Sequence, residues 1–127
     1  MIARDSLVLP LTPTADHTGL EGYAVKNSSG SAALCAGVTD VPIGVILEGR
    51  TTAGKDSVAL TGFSGSVKVK LHSSPGTVNA FTKLEVSATG AAKAASGDSG
   101  TIVFAQALES GSASELIEAR LLEPYAQ

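Results

Sequence analysis

The feature that most constrains this chain is its series of short apolar runs, which clusters of glycine, serine, threonine and aspartate interrupt roughly every ten residues. The clearest run, Ser66–Leu71, alternates valine and leucine with lysine. That period of two residues is typical of a strand with one buried face. Because the runs are too short for helices with an apolar stripe, the pattern predicts a mainly β fold with little helix.

Eight runs are predicted to be strands. They are Ser6–Thr12, Gly22–Asn27, Ile43–Leu47, Ser57–Thr61, Ser66–Leu71, Lys83–Ser87, Thr101–Ala107 and Glu115–Leu122. The last run also fits a short helix capped by Ser114, but Ile117, Ala119 and Leu121 alternate with charged residues, which favours a strand. A helical turn within residues 77–83 stays open.

A weak internal repeat relates Lys26–Leu60 to Val86–Leu121. The matched residues are Gly30 with Gly90, Leu47-Glu48 with Leu108-Glu109, and Leu60 with Leu121. Two copies of turn, small-residue arm, strand, loop and strand predict one small barrel or sandwich made of two similar hairpin units. We assign this β domain to residues 20–127, and residues 1–19 to an extended N-terminal arm and a polar loop.

Charge and cysteine content exclude several classes of protein. The net charge is −3 and the nine basic residues are scattered, which argues against nucleic acid or an anionic membrane as a partner. The single cysteine, Cys35, has no partner for an internal disulfide. No apolar stretch reaches the ~20 residues of a membrane span, and the N-terminus lacks the apolar block of a signal peptide.

The loop Gly49–Asp56 is the closest match to a catalytic or cofactor motif. Its spacing fits the phosphate-binding pattern G-x-x-x-x-G-K, but Asp56 stands where a magnesium-binding hydroxyl is needed. The segment that follows, Ser57–Thr61, is predicted to be a strand, whereas a phosphate loop opens a helix. A glycine-rich hairpin loop explains the sequence better, and a small nucleotide-binding domain remains an alternative function.

The other reactive residues form no recognisable constellation. His17 and His72 have no neighbour at metal-ligand spacing, and both are expected to be solvated loop residues. Gly62–Gly65 lacks the spacing of a nucleophile elbow. Cys35 is expected to be a small buried hydrophobe. These observations predict a protein that is not an enzyme and binds no metal or cofactor.

Two apolar strands give the chain a resemblance to a known family. Val41–Glu48 resembles a strand of the tailed-phage capsid decoration, or head cement, proteins, and Ile102–Glu109 is similar to its second occurrence. Gly65–Leu71 and Gly76–Gly90 resemble the segments between them, although Phe81 replaces a common glycine. The resemblance covers about residues 20–122. It implies a compact, usually trimeric β domain that is made in the host cytoplasm and binds the major capsid protein on the exterior of the phage head, which it stabilises. Another phage structural module, from a head fibre, tail or baseplate, is the alternative.

Two surfaces are candidates for these contacts. Residues 1–13 suit a capsid-binding arm, because an extended apolar segment can add a strand to a partner's sheet. Its candidate contact residues are Leu7, Val8, Leu9 and Leu11. An ordinary edge strand of the domain itself is the other interpretation of this segment. Sparse charge suggests that a monomer leaves apolar surface uncovered, which closed symmetry would bury. Candidate residues for a homotrimer interface are Leu34, Phe63, Phe81 and Leu122.

Overall fold

The structure, a computed structural model, describes residues 8–62 and 65–127. These residues form ten strands and no helix, which confirms the predicted mainly β fold. The strands are β1 (Val8–Leu11), β2 (Ala24–Ser28), β3 (Ser31–Leu34), β4 (Gly44–Glu48), β5 (Asp56–Leu60), β6 (Ser66–Lys70), β7 (Lys83–Val86), β8 (Ala92–Ala94), β9 (Ile102–Ala107) and β10 (Leu116–Ala126).

The strands make two five-stranded sheets with the same internal order. The first sheet runs β1-β5-β4-β2-β3 and the second runs β6-β10-β9-β7-β8. Each strand of the first sheet therefore has a counterpart five strands later in the chain. The repeat seen in the sequence is a duplication of a whole five-stranded sheet, which is larger than the predicted hairpin unit.

Both sheets curl in the same way. In each sheet, the chain that follows the first strand in sequence, β1 or β6, pairs with the third strand in sequence, β3 or β8. In the first sheet Pro13 forms a parallel bridge with Ala32, and in the second sheet Leu71 forms one with Ala92. Pro13 and Leu71 are thus equivalent positions. Each sheet is a partly closed barrel, as expected for strands of this length and twist.

The first sheet encloses a small core of its own. The cluster is formed by Val25, Ala32, Ile46 and Val58, with Leu11, Leu20, Leu34, Ile43 and Leu60 packed around it. The larger core lies inside the second sheet, and it also includes Ala24, Cys35, Val45 and Ala59 from the first sheet. The outer face of the first sheet therefore completes the core of the second.

A short segment at the start of β2 joins the two sheets. The carbonyl oxygen of Gly22 accepts a hydrogen bond of 2.9 Å from the Lys70 N–H, and the Ala24 N–H donates one of 2.8 Å to the carbonyl oxygen of Gly90. Gly22 has a φ of +89°, and a Cβ there would lie 2.6 Å from the Lys70 nitrogen. Only glycine fits both this conformation and this close contact.

Strand β1 belongs to the first sheet. Val8–Leu11 pairs with β5 in antiparallel register, and Pro13 and His17 are buried. Of the two interpretations of the N-terminal segment, the structure therefore places residues 8–11 as an edge strand of the domain. Residues 1–7, including Leu7, lie outside the described residues.

The sequence analysis did not predict two of the strands, β3 and β8. Both were expected to be arms of small residues, because alanine, serine and lysine have low β propensity. Their pairing with β2 and β7 fixes them as strands. The ambiguous segment near the C-terminus is a strand that continues to Ala126, and the turn considered for residues 77–83 forms no helix.

We expect Gly44→Ala to destabilise the fold more than a matched glycine substitution. Gly44 is buried in β4, and an added Cβ would collide with the carbonyl oxygen of Ala59 and lie 2.9 Å from Val58 Cγ1. The loss in free energy of unfolding should be about 3 kcal/mol. Gly37→Ala is the control, because its Cβ would come no closer than 3.9 Å to Asp40, and its effect should stay within about 0.5 kcal/mol. Urea unfolding measures both, and equal losses would contradict the assigned packing.

Candidate functional site

An apolar groove lies at the open end of the first sheet. Its volume is about 560 Å³, and one side is formed by β1 while the other is formed by the segment before β4. The lining residues are Leu9, Leu11, Asn27, Gly30, Val41, Pro42, Ile43, Leu60, Thr61, Glu123 and Pro124. Leu9 is 45% exposed and Val41 is 57% exposed. Solvent-exposed aliphatic side chains around a concave surface are typical of a protein contact rather than of a catalytic centre.

The outer edge of β1 borders this groove. The Thr12 carbonyl oxygen and the Thr14 N–H both bond to Ala32, so Thr12 directs its backbone groups away from β5. Because backbone groups alternate in direction along a strand, those of Val8 and Pro10 also point away from β5. Pro10 has no N–H, and proline at this position limits the number of bonds that a further strand can make.

The predicted contact residues occupy different environments. In the capsid-binding set, Val8 and Leu9 are exposed, whereas Leu11 packs against the core of the first sheet. In the trimer set, Leu34 also packs against that core, and Leu122 is half-buried. Phe63 lies outside the described residues. Of the described members of the capsid-binding set, Leu9 and Leu11 line the same groove. The roles of both sets stay predictions.

Phe81 is the most exposed large hydrophobic residue described, at 69%. Its φ is +73°, in the left-handed region that residues with a Cβ rarely adopt. The backbone is nevertheless held, because the Phe81 N–H donates to the Ala107 carbonyl oxygen at 2.7 Å and Gln106 Nε2 donates to the Phe81 carbonyl oxygen at 3.1 Å. A strained, fixed and exposed aromatic residue is a candidate for a binding role.

His17 and Asp56 form a buried polar pair. His17 Nδ1 lies 2.5 Å from Asp56 Oδ2, and the two residues are 1% and 0% exposed. The other carboxylate oxygen accepts the Arg50 N–H at 2.8 Å, and the His17 N–H donates to the Arg50 carbonyl oxygen at 2.9 Å. The pair thus ties the polar loop after β1 to the loop between β4 and β5.

The expectation of a solvated His17 is therefore wrong. The sequence around it, Asp16-His17-Thr18, is polar, but the loop folds inwards because the buried carboxylate of Asp56 needs a partner. His72 is half-buried instead, and its Nδ1 accepts the Ser74 N–H at 3.0 Å.

The Gly49–Asp56 loop is a connection between antiparallel strands. It joins β4 to β5, so a strand and not a helix follows it. Asp56 is directed into the protein towards His17, and Lys55 Nζ lies 3.2 Å from Thr12 Oγ1. A Cβ on Gly49 would collide with the His17 carbonyl oxygen, which gives this glycine a packing role. The loop lacks the helix N-terminus that would face a phosphate.

Glu85 is a second buried carboxylate, 2% exposed, on β7. Its Oε1 accepts hydrogen bonds from the Ser96 N–H at 2.7 Å, from Ser96 Oγ at 2.9 Å and from Gln127 Nε2 at 2.9 Å. Burial raises the pKa of Glu85, but these bonds outweigh it, so the pKa lies below its ordinary value. Because Gln127 Oε1 also accepts the Gly97 N–H, the network fastens the last residue to the loop after β8.

The remaining reactive groups form no cluster. Within residues 8–62 and 65–127, no three histidine, cysteine or acidic side chains are arranged to hold a metal ion. Burial raises the pKa of the Cys35 thiol to about 12. None of the segments described forms a helix long and apolar enough to cross a membrane.

Sequence reasoning missed most of the groove. Val41, Pro42 and Ile43 were assigned to a strand and the residues before it, and Leu60 to the predicted strand Ser57–Thr61. A proline followed by an aliphatic run gives no sign that one end of the sheet stays open. The only available signal was Val41, an aliphatic residue placed before a turn-forming proline.

Comparisons with known proteins identify the fold. No protein-family model and no curated protein matches the sequence. The head fibre gp8.5 N base of bacteriophage phi29 is similar in structure, with 13% identity and a TM-score of 0.60 over 91% of this chain and 92% of that one. The capsid of Myoviridae phage XM1 contains a chain with 17% identity and a TM-score of 0.63 over 97% of this chain and 88% of that one. The fold is one found in phage head components. These comparisons confirm, at the level of the fold, the resemblance to phage head proteins that the sequence suggested.

We expect Asp56→Ala to lower the free energy of unfolding by about 3 kcal/mol, because it leaves His17 and the Arg50 N–H without their buried acceptor. Glu48→Ala is the control, since the Glu48 side chain is 59% exposed and its ion-pair partner among the described residues is an exposed arginine, so stability should not change. Chemical unfolding monitored by circular dichroism gives both values. A small effect at Asp56 would show that the pair does not hold the two loops.

We also expect Glu85 to make stability depend on pH. An acid whose pKa is lower in the folded than in the unfolded state stabilises the fold above its unfolded pKa, and that contribution is lost as the pH falls through the folded value. Stability should therefore decline as the pH falls below the ordinary value of 4.5. Glu85→Gln should show a smaller decline, and Glu123→Gln, on the exposed rim of the groove, should behave like the natural protein. Equal declines in all three proteins would refute the role of Glu85.

Proposed function

We propose that this chain is a structural component of a phage head that binds the outer surface of the assembled capsid and stabilises it. The observation that carries the proposal is the fold, which matches two phage head components over 91% and 97% of this chain. The protein would be made in the host cytoplasm and would become part of the virion, with the major capsid protein as its partner.

The exposed surfaces suit a protein that acts by contact. Val8 and Leu9 on the edge strand and Val41 beside them are aliphatic and at least 42% exposed. Binding through such side chains and through the backbone of an edge strand needs no titratable group. Residues 1–7 precede this edge directly, and we propose that they extend the contact with a capsid-protein sheet, with Leu7, Val8 and Leu9 as the contact residues. Leu11 would then support the strand from inside.

We further propose that the protein acts as a homotrimer. Closed symmetry would bury exposed apolar residues such as Phe81 without forming fibres. Three arms on one trimer would raise the effective concentration at the second and third capsid sites once the first is engaged.

A head-fibre base is the second candidate function. The likeness to the phi29 head fibre base, which covers 92% of that chain, favours it specifically. A decoration protein should cover the capsid lattice, whereas a fibre base should anchor a projecting structure. Electron microscopy of the virion distinguishes the two by where this domain is found.

We propose that the chain catalyses no reaction. The burial of Asp56 against His17 and the strand that follows the Gly49–Asp56 loop support this view, because both are at odds with phosphate binding. Titration with nucleoside triphosphates should give no saturable binding. Saturable binding that is lost in Lys55→Ala would instead support a nucleotide-binding domain.

Capsid binding is tested by mixing the purified protein with capsids that lack it, followed by sedimentation and electron microscopy. We expect density on the outer surface, and weaker binding by a variant that lacks residues 1–7 or carries Val8→Ser. A deletion up to residue 13 is unsuitable, because Leu11 and Pro13 contribute to the first sheet.

Leu116→Ser is the matched control, because Leu116 is 44% exposed and Val8 is 42% exposed, and Leu116 lies on β10. It should bind capsids like the natural protein. Absence of any density would refute the proposed function. Undiminished binding by both N-terminal variants would refute the role of the arm alone.

A further inference from the structure

The segment Phe81–Lys83 is the structural counterpart of Gly22–Ala24. The Gly22 N–H donates to the Ile46 carbonyl oxygen at 2.8 Å, and the Phe81 N–H donates to the Ala107 carbonyl oxygen at 2.7 Å. Tyr23 and Thr82 agree as well, because their N–H groups donate to Leu20 and Asn79 at 3.2 and 3.1 Å. Gly22 and Phe81 also share a positive φ, of 89° and 73°.

The two segments differ in what they contact. Gly22–Ala24 lies in the opening of the second sheet, bonded to Lys70 on one side and to Gly90 on the other. Phe81–Lys83 lies at the surface, with Phe81 and Lys83 both exposed. Within the described residues, a segment shaped to fill an opening is thus present twice and fills an opening once.

The opening is also present twice. The counterparts of Lys70 and Gly90 in the first sheet are Thr12 and Gly30, each placed by the equivalent bridges and turns. The Thr12 N–H and the Gly30 carbonyl oxygen make no hydrogen bond to another described residue, and Gly30 lines the apolar groove. The groove is therefore the position that Gly22–Ala24 occupies in the second sheet, here without an occupant from the described chain.

We propose that this groove binds the Phe81–Lys83 segment of a second copy of the chain. The Phe81 carbonyl oxygen accepts the Thr12 N–H, the Lys83 N–H donates to the Gly30 carbonyl oxygen, and the Phe81 ring covers aliphatic side chains of the groove. Glu123 is the charged residue of the lining, and it provides a partner for the Lys83 ammonium group. The apolar stem of lysine can cross the groove while its charge stays at the rim.

The chain itself indicates why the occupant is this segment of a second copy. The Gly22–Ala24 segment of any copy is already buried in its own second sheet, so Phe81–Lys83 is the described segment that offers the same backbone shape at the surface. The groove of the first sheet has room for the Phe81–Lys83 segment. A Cβ at Gly22 would meet Leu116 and Lys70, whereas the equivalent positions in the first sheet are Thr12 and Lys55, whose side chain is flexible.

The contact is head-to-tail, because the groove and the inserted segment belong to different sheets. Such a contact forms a closed ring if the rotation between copies closes, and an open filament if it does not. It does not depend on capsid binding, so it is measured on the protein alone.

Sedimentation equilibrium of the full chain, up to millimolar concentration and without capsids, tests the contact. We expect self-association that Phe81→Gly weakens at least about tenfold, as for loss of a central aromatic anchor. Because glycine suits a φ of +73°, this variant should keep its melting temperature and circular dichroism spectrum. Leu9→Ser should also weaken association, while Leu116→Ser should not, although the two leucines are 45% and 44% exposed.

A charge exchange tests the pairing itself. Lys83→Glu and Glu123→Lys should each weaken association, and the double variant should recover it. A chain that stays monomeric at every concentration would overturn the proposal. So would an association unchanged by Phe81→Gly, or double-variant binding no stronger than that of either single variant. A folded Phe81→Gly protein that loses capsid binding but was never self-associated would assign the segment to the capsid instead.

Discussion

The structure depends on the insertion of Gly22–Ala24 into the opening of the second sheet. Without it, the Lys70 N–H and the Gly90 carbonyl oxygen would lose their partners, and the larger core would lose the residues that the first sheet supplies. Backbone groups removed from water need such partners, so the two sheets must fold against each other. The groove and Phe81, which lie on different sheets, are consequently held at a fixed distance and orientation.

Much of the fold was readable from the sequence because its strands obey simple rules. Ser66–Leu71 alternates, Ile43–Leu47 is a continuous apolar run, and Leu47-Glu48 recurs as Leu108-Glu109. Strands β3 and β8 were not readable, because alanine and serine pack in a strand only once a neighbour has fixed them. The partnership of His17 and Asp56 was not readable either, since 39 residues separate them and only the fold brings them together.

The candidate contact surface shows why function was harder to predict than fold. Leu9 and Leu11 occupy the positions on β1 that Val67 and Val69 occupy on β6, and all four alternate with residues facing the other way. Val67 and Val69 are almost fully buried, whereas Leu9 is 45% exposed. The difference arises from a neighbouring segment that covers one sheet and not the other. No local pattern in the sequence carries that information, whereas the comparison of one sheet with the other shows it directly.

The buried thiol of Cys35 is a chemical probe of the core to which both sheets contribute. Cys35 belongs to the core that both sheets share, and its pKa of about 12 leaves almost no reactive thiolate at neutral pH. An alkylating reagent can therefore modify it only while this part of the core is open to solvent. The rate of alkylation then measures how often this part of the core opens.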